Sequence, residues 1–349
     1  YSRHDRSRFK VHAYSVGAVD RCFERERVQA GVDVFRDLDN MPAQAAAQLI
    51  VNDGIDILID LSGYARHARP EILALRPAPL QLSNLGFQGT LGAAYIDYAL
   101  LDRNILLPEI RQFWDEKIAY LPHCSYHCET PVTTAQASRT DEGLPEHSLV
   151  LGALHHPRKL EPDSFRVWLS LLHELPEAVL WLQYETQEQR ENLKCFAEAH
   201  GVLEGRLVFS PMAGYEKHLA RLRLADICLD TFTYNGHTTT VESLGMGVPV
   251  VTLKGQGVVA RIASSMLTAH GLPDLTASTV EEYNAIVHKL ARDTAWRDEV
   301  KKRIGDYAHS NLFCPERRVR EIETAYEMIW ARHQAGLAPD DFDVPPFVA

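Results

Sequence analysis

The sequence predicts an α/β protein of two domains, each a doubly wound parallel sheet, facing one another across a cleft. Three observations carry this. The chain has 349 residues, long for a single hydrophobic core. Apolar runs of strand length alternate with helix-like segments through both halves. Between the halves, 123–147 carries Pro, Thr, Ser, Gly and charge with little periodicity, which marks a boundary. We place the domains at 1–135 and 146–312, a C-terminal helix at 313–335 and a flexible tail at 336–349.

In order, strands are expected at 9–16 and 32–35. A helix at 41–52 starts at Pro42 and stops at Gly54. The run 55–61 is apolar apart from its aspartates and fits a buried parallel strand. The turn Ser62-Gly63-Tyr64 leads to a Pro-opened helix at 70–75. A strand at 80–85 runs into Gly86-Phe87-Gln88-Gly89-Thr90, and 95–101 and 117–121 complete the first half. The second half reads strand 149–154, helix 163–175, strand 179–182, helix 188–200, strand 207–210 and helix 215–224. Strand 227–229, helix 237–246 and strand 248–253 follow, then helices near 259–270, 279–292 and 295–309. An amphipathic helix at 316–333 precedes the Pro- and Asp-rich tail. The polar opening YSRHDRSRFK, without a methionine, reads as entry into a domain already under way.

Composition narrows the function. Hydrophobic residues make up 46% and charged residues 24%, as in ordinary globular domains. A net charge of −11 and a pI near 5.8 argue against a surface that tracks nucleic-acid phosphates. No apolar run approaches spanning length and no signal peptide opens the chain, so no membrane insertion is expected. Six scattered cysteines require no disulfide framework, which suits a reducing cytoplasm.

Doubly wound sheets bind ligands beyond the carboxyl ends of their strands, so the loops after Ile59, Leu85, Leu154, Ser210 and Asp230 carry the candidates. The stretch after Asp230 is the most informative. Asn235, Gly236, His237 and three threonines open a helix, whose unpaired N–H groups and dipole favour a phosphate. The glycine lets backbone approach a ligand, while Thr238 and Glu242 share one helix face. A hydroxyl near the phosphate and a carboxylate one turn deeper suit a sugar nucleotide. A structural helix with Thr as its cap is the alternative.

After Leu154, His155-His156-Pro157-Arg158-Lys159 puts a compact cation where it could meet a departing diphosphate, with His156 donating to the same oxygens. The alternative is a solvated basic turn. After Ser210, Pro211-Met212-Ala213-Gly214-Tyr215 leads to His218 and Arg221, three apart on one helix face and able to hold a nucleobase, or else ordinary helix surface. Gly86 and Gly89 lack dinucleotide-fingerprint spacing and read first as a tight turn. The run His123-Cys124-Ser125-Tyr126-His127-Cys128 has no second ligand cluster to complete a zinc site. Nucleophile-elbow, Walker and HExxH motifs are absent from the sequence.

Taken in order, ALRPAPLQ (74–81), LGFQGT (85–90), the Lys159 loop, FSPMA (209–213) and LADICLDTFTYNGHTTT (224–240) resemble the catalytic region of protein O-GlcNAc transferases. The resemblance runs from about 9 to about 330. It implies a GT-B glycosyltransferase of two Rossmann-like domains, transferring GlcNAc from UDP-GlcNAc to Ser or Thr hydroxyls of a protein or peptide with inversion. It assigns Lys159 to the diphosphate and leaving group, and His237, Thr238 and Thr239 to the phosphates. Ala213 would meet the uracil through its backbone, with His218 beside the nucleoside. Leu85 and Gly86 would line the GlcNAc pocket, and Glu242 would take the ribose, where animal members carry aspartate. Arg221, Asn235, Gly236 and His156 complete the candidate donor set, His156 replacing a family glutamine and Tyr215 a lysine. No metal is expected if Lys159 and the helix N-terminus carry the diphosphate charge.

The family's first strand, its histidine-bearing loop and its tetratricopeptide repeats have no match here. The expectation is a catalytic region that folds its donor domain but is deficient in turnover. Alternatives are a GDP-fucose-dependent protein O-fucosyltransferase, for which a small residue would replace His237, a glycosyltransferase with a non-protein acceptor, and a non-catalytic nucleotide-sugar-binding module.

Overall fold

The computed structural model describes residues 1–17, 22–126 and 128–348. The chain forms two compact units, Tyr1–Ser125 with Pro315–Ala349, and Tyr126–Cys314. The second unit therefore begins earlier than expected from composition, and 138–148 lies within it. Burial of Leu144 and Glu142 in that stretch is the physical reason.

In the first unit the elements are β1 (His12–Ser15), α1 (Phe23–Ala30), β2 (Val34–Asp37), α2 (Ala43–Asn52), β3 (Ile57–Asp60), α3 (Pro70–Ala74), β4 (Leu80–Ser83), β5 (Tyr98–Asp102), α4 (Pro108–Arg111) and β6 (Lys117–Leu121). β1 and β2 form a parallel pair. Helix α1 escaped the sequence reading because it buries no residue, so its charged sequence shows no apolar period.

β3 to β6 are neighbours in chain order, all parallel. Alternate residues of β4, β5 and β6 (Leu80 and Leu82, Tyr98 and Leu100, Ala119 and Leu121) form one buried cluster with Ile322, Ala325 and Ile329. The strand residues follow the two-residue period of a pleat, and the helix residues the three-and-four spacing of one face. The end of the chain thus returns to the first unit.

That end corrects one expectation. The segment read as a flexible tail forms a strand at Phe342–Asp343, parallel to β6, and Val344 is buried. Asp341 receives two hydrogen bonds from Arg111, each 2.6 Å, and one from Ile118 N at 2.9 Å. The aspartates that suggested a solvated tail are the groups that fasten it.

The second unit comprises β7 (Leu149–Ala153), α5 (Pro162–Glu174), β8 (Ala178–Tyr184), α6 (Gln187–Ala199), β9 (Leu207–Pro211), α7 (Tyr215–Leu222), β10 (Ile227–Leu229), α8 (Thr238–Gly245), β11 (Val250–Leu253), α9 (Ile262–Ala269), β12 (Thr276–Ala277), α10 (Val280–Arg292) and α11 (Thr294–Ile304). Local chemistry explains the helix starts. Pro162 follows the capping Glu161, whose carboxylate accepts from Ser164 N at 2.8 Å, and Thr186 with Gln189 closes a capping box on α6. Asp293 caps α11 through Trp296 N at 2.9 Å.

All six strands are parallel in the order β12-β11-β10-β7-β8-β9. From β7 the chain winds outward through β8 and β9, then returns to β7's other edge at β10. The order reverses between β7 and β10, where such sheets open a crevice at their carboxyl ends. The Lys159 loop leaves β7 and the Asn235 loop leaves β10. Topology alone brings these two loops together.

Candidate active site

The final turn of the β10 loop is organised by a buried carboxylate. Asp230 Oδ1 accepts from Gly236 N at 2.6 Å and Oδ2 accepts from Thr252 Oγ1 of β11 at 2.6 Å. Burial pushes this acid up to about 7, against the hydrogen bonds and the charge of Lys159. Asn235 is buried too, its Nδ2 donating to Thr231 O at 2.7 Å and its N–H to Val259 O at 3.0 Å.

Gly236 is required here for a reason other than ligand approach. A Cβ would lie 2.6 Å from Thr240 Oγ1 and 2.9 Å from His155 Cε1. The backbone closes against the protein's own side chains, and Thr240 Oγ1 donates to Gly236 O at 2.9 Å.

Helix α8 starts at Thr238 with His237 as its N-cap, and the His237 side chain makes no capping bond. No threonine caps this helix, so the alternative of a Thr-capped structural helix is not what forms. The His237 ring is held by Val259 O, and its Nε2 is buried with no partner among the described residues. Burial, then the charge of Lys159, pushes its imidazole down to about 3, which leaves it neutral. The Thr238 hydroxyl lies 3.0 Å from the Tyr126 hydroxyl, and Thr239 O accepts from Ser243 Oγ at 2.8 Å.

From β7, His155 is buried and donates through Nε2 to Leu229 O at 2.9 Å. Burial pushes it down to about 4, and its Nδ1 has no partner among the described residues. The turn Pro157–Lys159 then points Lys159 at the Asn235 loop. Its Nζ donates to Asn235 O at 2.7 Å and lies 4.3 Å from the Tyr234 ring centroid. Burial pushes the ammonium down to about 8, with Asp230 acting in the opposite direction. This is no solvated basic turn. His156 Nδ1 accepts from Arg158 N at 3.3 Å, so its proton sits on Nε2.

The third loop brings His218 to the same helix. His218 Nε2 lies 3.4 Å from Glu242 Oε2, and its Nδ1 lies 3.4 Å from Arg221 Nη2. Thr238 and Glu242 do share a helical spacing, and Glu242 is buried at the deeper turn. Arg221 corrects an expectation: it is 1% exposed and is not available as a donor ligand. Its guanidinium donates to Pro211 O at 2.8 Å and to Gln183, and lies 3.8 Å from Glu142. It props His218 from behind. Ala213 is half-buried in the loop before α7, and Tyr215, which opens that helix, is 54% exposed.

Leu85 and Gly86 belong to the other unit. Leu85 takes φ +65°, a left-handed conformation unusual for a branched side chain, and Gly86 N donates to Asn84 O at 2.8 Å. A Cβ at Gly86 would lie 1.6 Å from Leu61 O, so this turn too closes on protein backbone. Of the metal-tempting run, His127 lies outside the described residues. His123 Nε2 is 3.6 Å from Glu321 Oε1, and the described residues contain no group of three or more His, Cys, Asp or Glu suited to a metal.

Sequence reasoning missed Asp230, Thr252, Tyr126 and Tyr234. Only the Asp-Thr pair closing β10 signalled a polar strand end. Tyr126 and Thr252 reach the site from distant segments.

These loops and the fold that carries them have counterparts. The family model described as glycosyl transferase family 41 matches residues 2–130 and 124–322. The chain belongs to glycosyltransferase family 41. It is 32% identical over 99% of its length to an Arabidopsis thaliana protein named probable UDP-N-acetylglucosamine–peptide N-acetylglucosaminyltransferase SEC, covering 36% of that protein. A Caenorhabditis elegans UDP-N-acetylglucosamine–peptide N-acetylglucosaminyltransferase is 25% identical over 97% of the chain and 39% of its own length. The solved structure of a lysine-to-methionine variant of Thermobaculum terrenum O-GlcNAc transferase superposes with a TM-score of 0.89 at 29% identity, covering 96% of this chain and 64% of that one. The chain therefore spans somewhat over a third of the curated relatives' length. Its architecture is the GT-B glycosyltransferase fold of two Rossmann-like units. No helix among the described residues is long and apolar enough to cross a membrane.

Proposed function

We propose that this chain binds UDP-GlcNAc in its second unit and serves the transfer of GlcNAc, with inversion, to Ser or Thr hydroxyls of a protein or peptide. The observation that carries the proposal is the placement of Lys159. Its ammonium reaches the loop that opens α8, where the backbone N–H groups have no capping side chain. A cation and a helix N-terminus converging on one point fit a diphosphate.

The chemistry follows. The acceptor hydroxyl attacks the anomeric carbon, its proton passing to solvent, while the C–O bond to UDP breaks and negative charge grows on the departing diphosphate. Lys159 and the amides of Thr238 and Thr239 stabilise that charge. His237, neutral in the free protein, takes up a proton when a dianion arrives beside it, or accepts a hydrogen bond from the sugar through Nε2. Glu242, held by His218, presents a carboxylate oxygen to the ribose hydroxyls, and the backbone at Ala213 meets the base. The names of the Arabidopsis and nematode relatives support UDP-GlcNAc as donor and a peptide as acceptor. Donor binding on this reading needs no divalent ion.

Calorimetric titration with UDP, UDP-GlcNAc, GDP and GDP-fucose, each with and without EDTA, tests the proposal. UDP and UDP-GlcNAc should bind and the guanine nucleotides should not, with EDTA changing nothing. Preference for GDP-fucose would replace the donor assignment, and loss of UDP binding on chelation would overturn the metal-free diphosphate site.

A further inference from the structure

One ring at the site is left without a role by the donor assignment. Tyr234 stands between the two elements that meet there, 40% exposed, one residue before Asn235. Lys159 Nζ lies 4.3 Å from its ring centroid. The His237 ring stacks on it with centroids 5.0 Å apart and planes 24° from parallel. On its other side in the loop, Tyr234 O accepts from Thr231 Oγ1 at 2.6 Å, which pins the backbone that carries the ring.

We propose that Tyr234 is a positioning residue for Lys159, its ring face holding the ammonium toward the Asn235 carbonyl and stabilising its charge. This deepens the donor-site proposal and rests on it. The groups facing Lys159 leave the task open. Asp230 is the carboxylate whose charge acts on it, yet that acid is itself pushed up by burial to about 7. His155 and His237 are neutral and supply no charge. Glu161, on the following turn, is occupied by Ser164 N and Phe232 N. Arg158 points to Glu185, 3.7 Å away. Beyond the Asn235 carbonyl, the face of the Tyr234 ring is the remaining electron-rich surface among the described residues in contact with the cation, and a partly desolvated pair of this kind is favourable. The ring also keeps water from one side of the ammonium without a competing counter-ion, which leaves the charge free to act on an incoming phosphate.

The test is the pH dependence of UDP binding in Tyr234→Phe, Tyr234→Leu and a variant with a multiply fluorinated phenylalanine at the same position. Affinity should decline as pH rises through the Lys159 pKa. Tyr234→Phe keeps the ring face and should leave the midpoint in place. Fluorination withdraws electron density at nearly constant size, and Tyr234→Leu removes the face altogether. Both should move the midpoint down by roughly half to one pH unit and weaken UDP severalfold near pH 8. Because the fluorinated ring fills the same space, this arm holds even if Tyr234→Leu misfolds. An identical midpoint in the phenylalanine and fluorinated proteins overturns the role of Tyr234 while leaving the donor site standing. Failure of the unaltered protein to bind UDP overturns the donor proposal itself.

Discussion

Substituting Gly236 by alanine distinguishes two reasons for a glycine at the helix start. If the residue is there to admit a ligand, Gly236→Ala should spare stability and abolish binding. The structure leads to the opposite expectation. The added methyl would sit 2.6 Å from Thr240 Oγ1, 2.9 Å from His155 Cε1 and 3.2 Å from His155 Nδ1. Neither neighbour can yield freely. Thr240 is bonded to Gly236 O at 2.9 Å and His155 to Leu229 O at 2.9 Å, both buried. Overpacking costs about 1–3 kcal/mol, and disturbing two hydrogen bonds adds about 1 kcal/mol. For a unit of this size that lowers the melting temperature by roughly 4–16 °C. Calorimetric unfolding measures it. Gly214→Ala is the control, because a Cβ there meets nothing within 4 Å and φ is −60°. In the double variant Gly236→Ala/Thr240→Ala, loss of the hydroxyl should recover part of the deficit, and a double-mutant cycle isolates the coupling. A Gly236→Ala protein that melts with the unaltered one would refute the packing argument.

Three further outcomes are expected. Lys159→Ala, assayed in a protein competent for turnover, should lower the transfer rate by about 10²–10³ while weakening UDP far less, because the charge it meets grows as the bond breaks; an unchanged rate removes Lys159 from the mechanism. On acidification, His155 and His237, depressed to about 4 and about 3, contribute stability that is present above their ordinary pKa of 6.5 and lost as pH falls below it, while Asp230, raised to about 7, opposes this by holding a proton in the folded state. Between pH ~4 and ~6.5 these three groups together take up one proton on unfolding, about 1.4 kcal/mol per pH unit, and His270 and His4, also lowered by burial, steepen the loss; Asp230→Asn should add about another 1.4 kcal/mol per pH unit to the slope, and urea midpoints showing equal slopes in the two proteins would count against it. Asp341→Ala removes two bonds from Arg111 and one from Ile118 N, and should cost the first unit about 1–3 kcal/mol in urea unfolding and raise amide exchange at Val344, whose N–H bonds Tyr120 O at 2.8 Å.

Much of the fold was legible because its signals are local. Strand-length apolar runs and Pro at helix starts depend on residues a few positions apart. What stayed hidden had no periodic signature. Helix α1 buries nothing, and the strand at Phe342–Asp343 is too short to alternate. Its aspartates read as solvent-facing until Arg111, far away in sequence, is brought against them.

The sequence by itself determined the candidate loops and their chemistry. A basic turn after one strand and NGHTTT after another require only the knowledge that parallel sheets present their functional loops at the carboxyl edge. The tertiary structure decided which of those residues face outward and which are props. Arg221 and His218 are three apart and look equivalent on a helical wheel. Yet one is buried under Pro211 and Gln183 while the other meets Glu242. Gly236 was read as an opening for a ligand and Gly86 first as a tight turn, but a missing side chain says only that something is close, not what. In both turns the close neighbour is the protein itself. Tyr234 acquired a role only once β7 and β10 were adjacent, because a cation and a ring 75 positions apart in the chain interact only where the sheet order reverses.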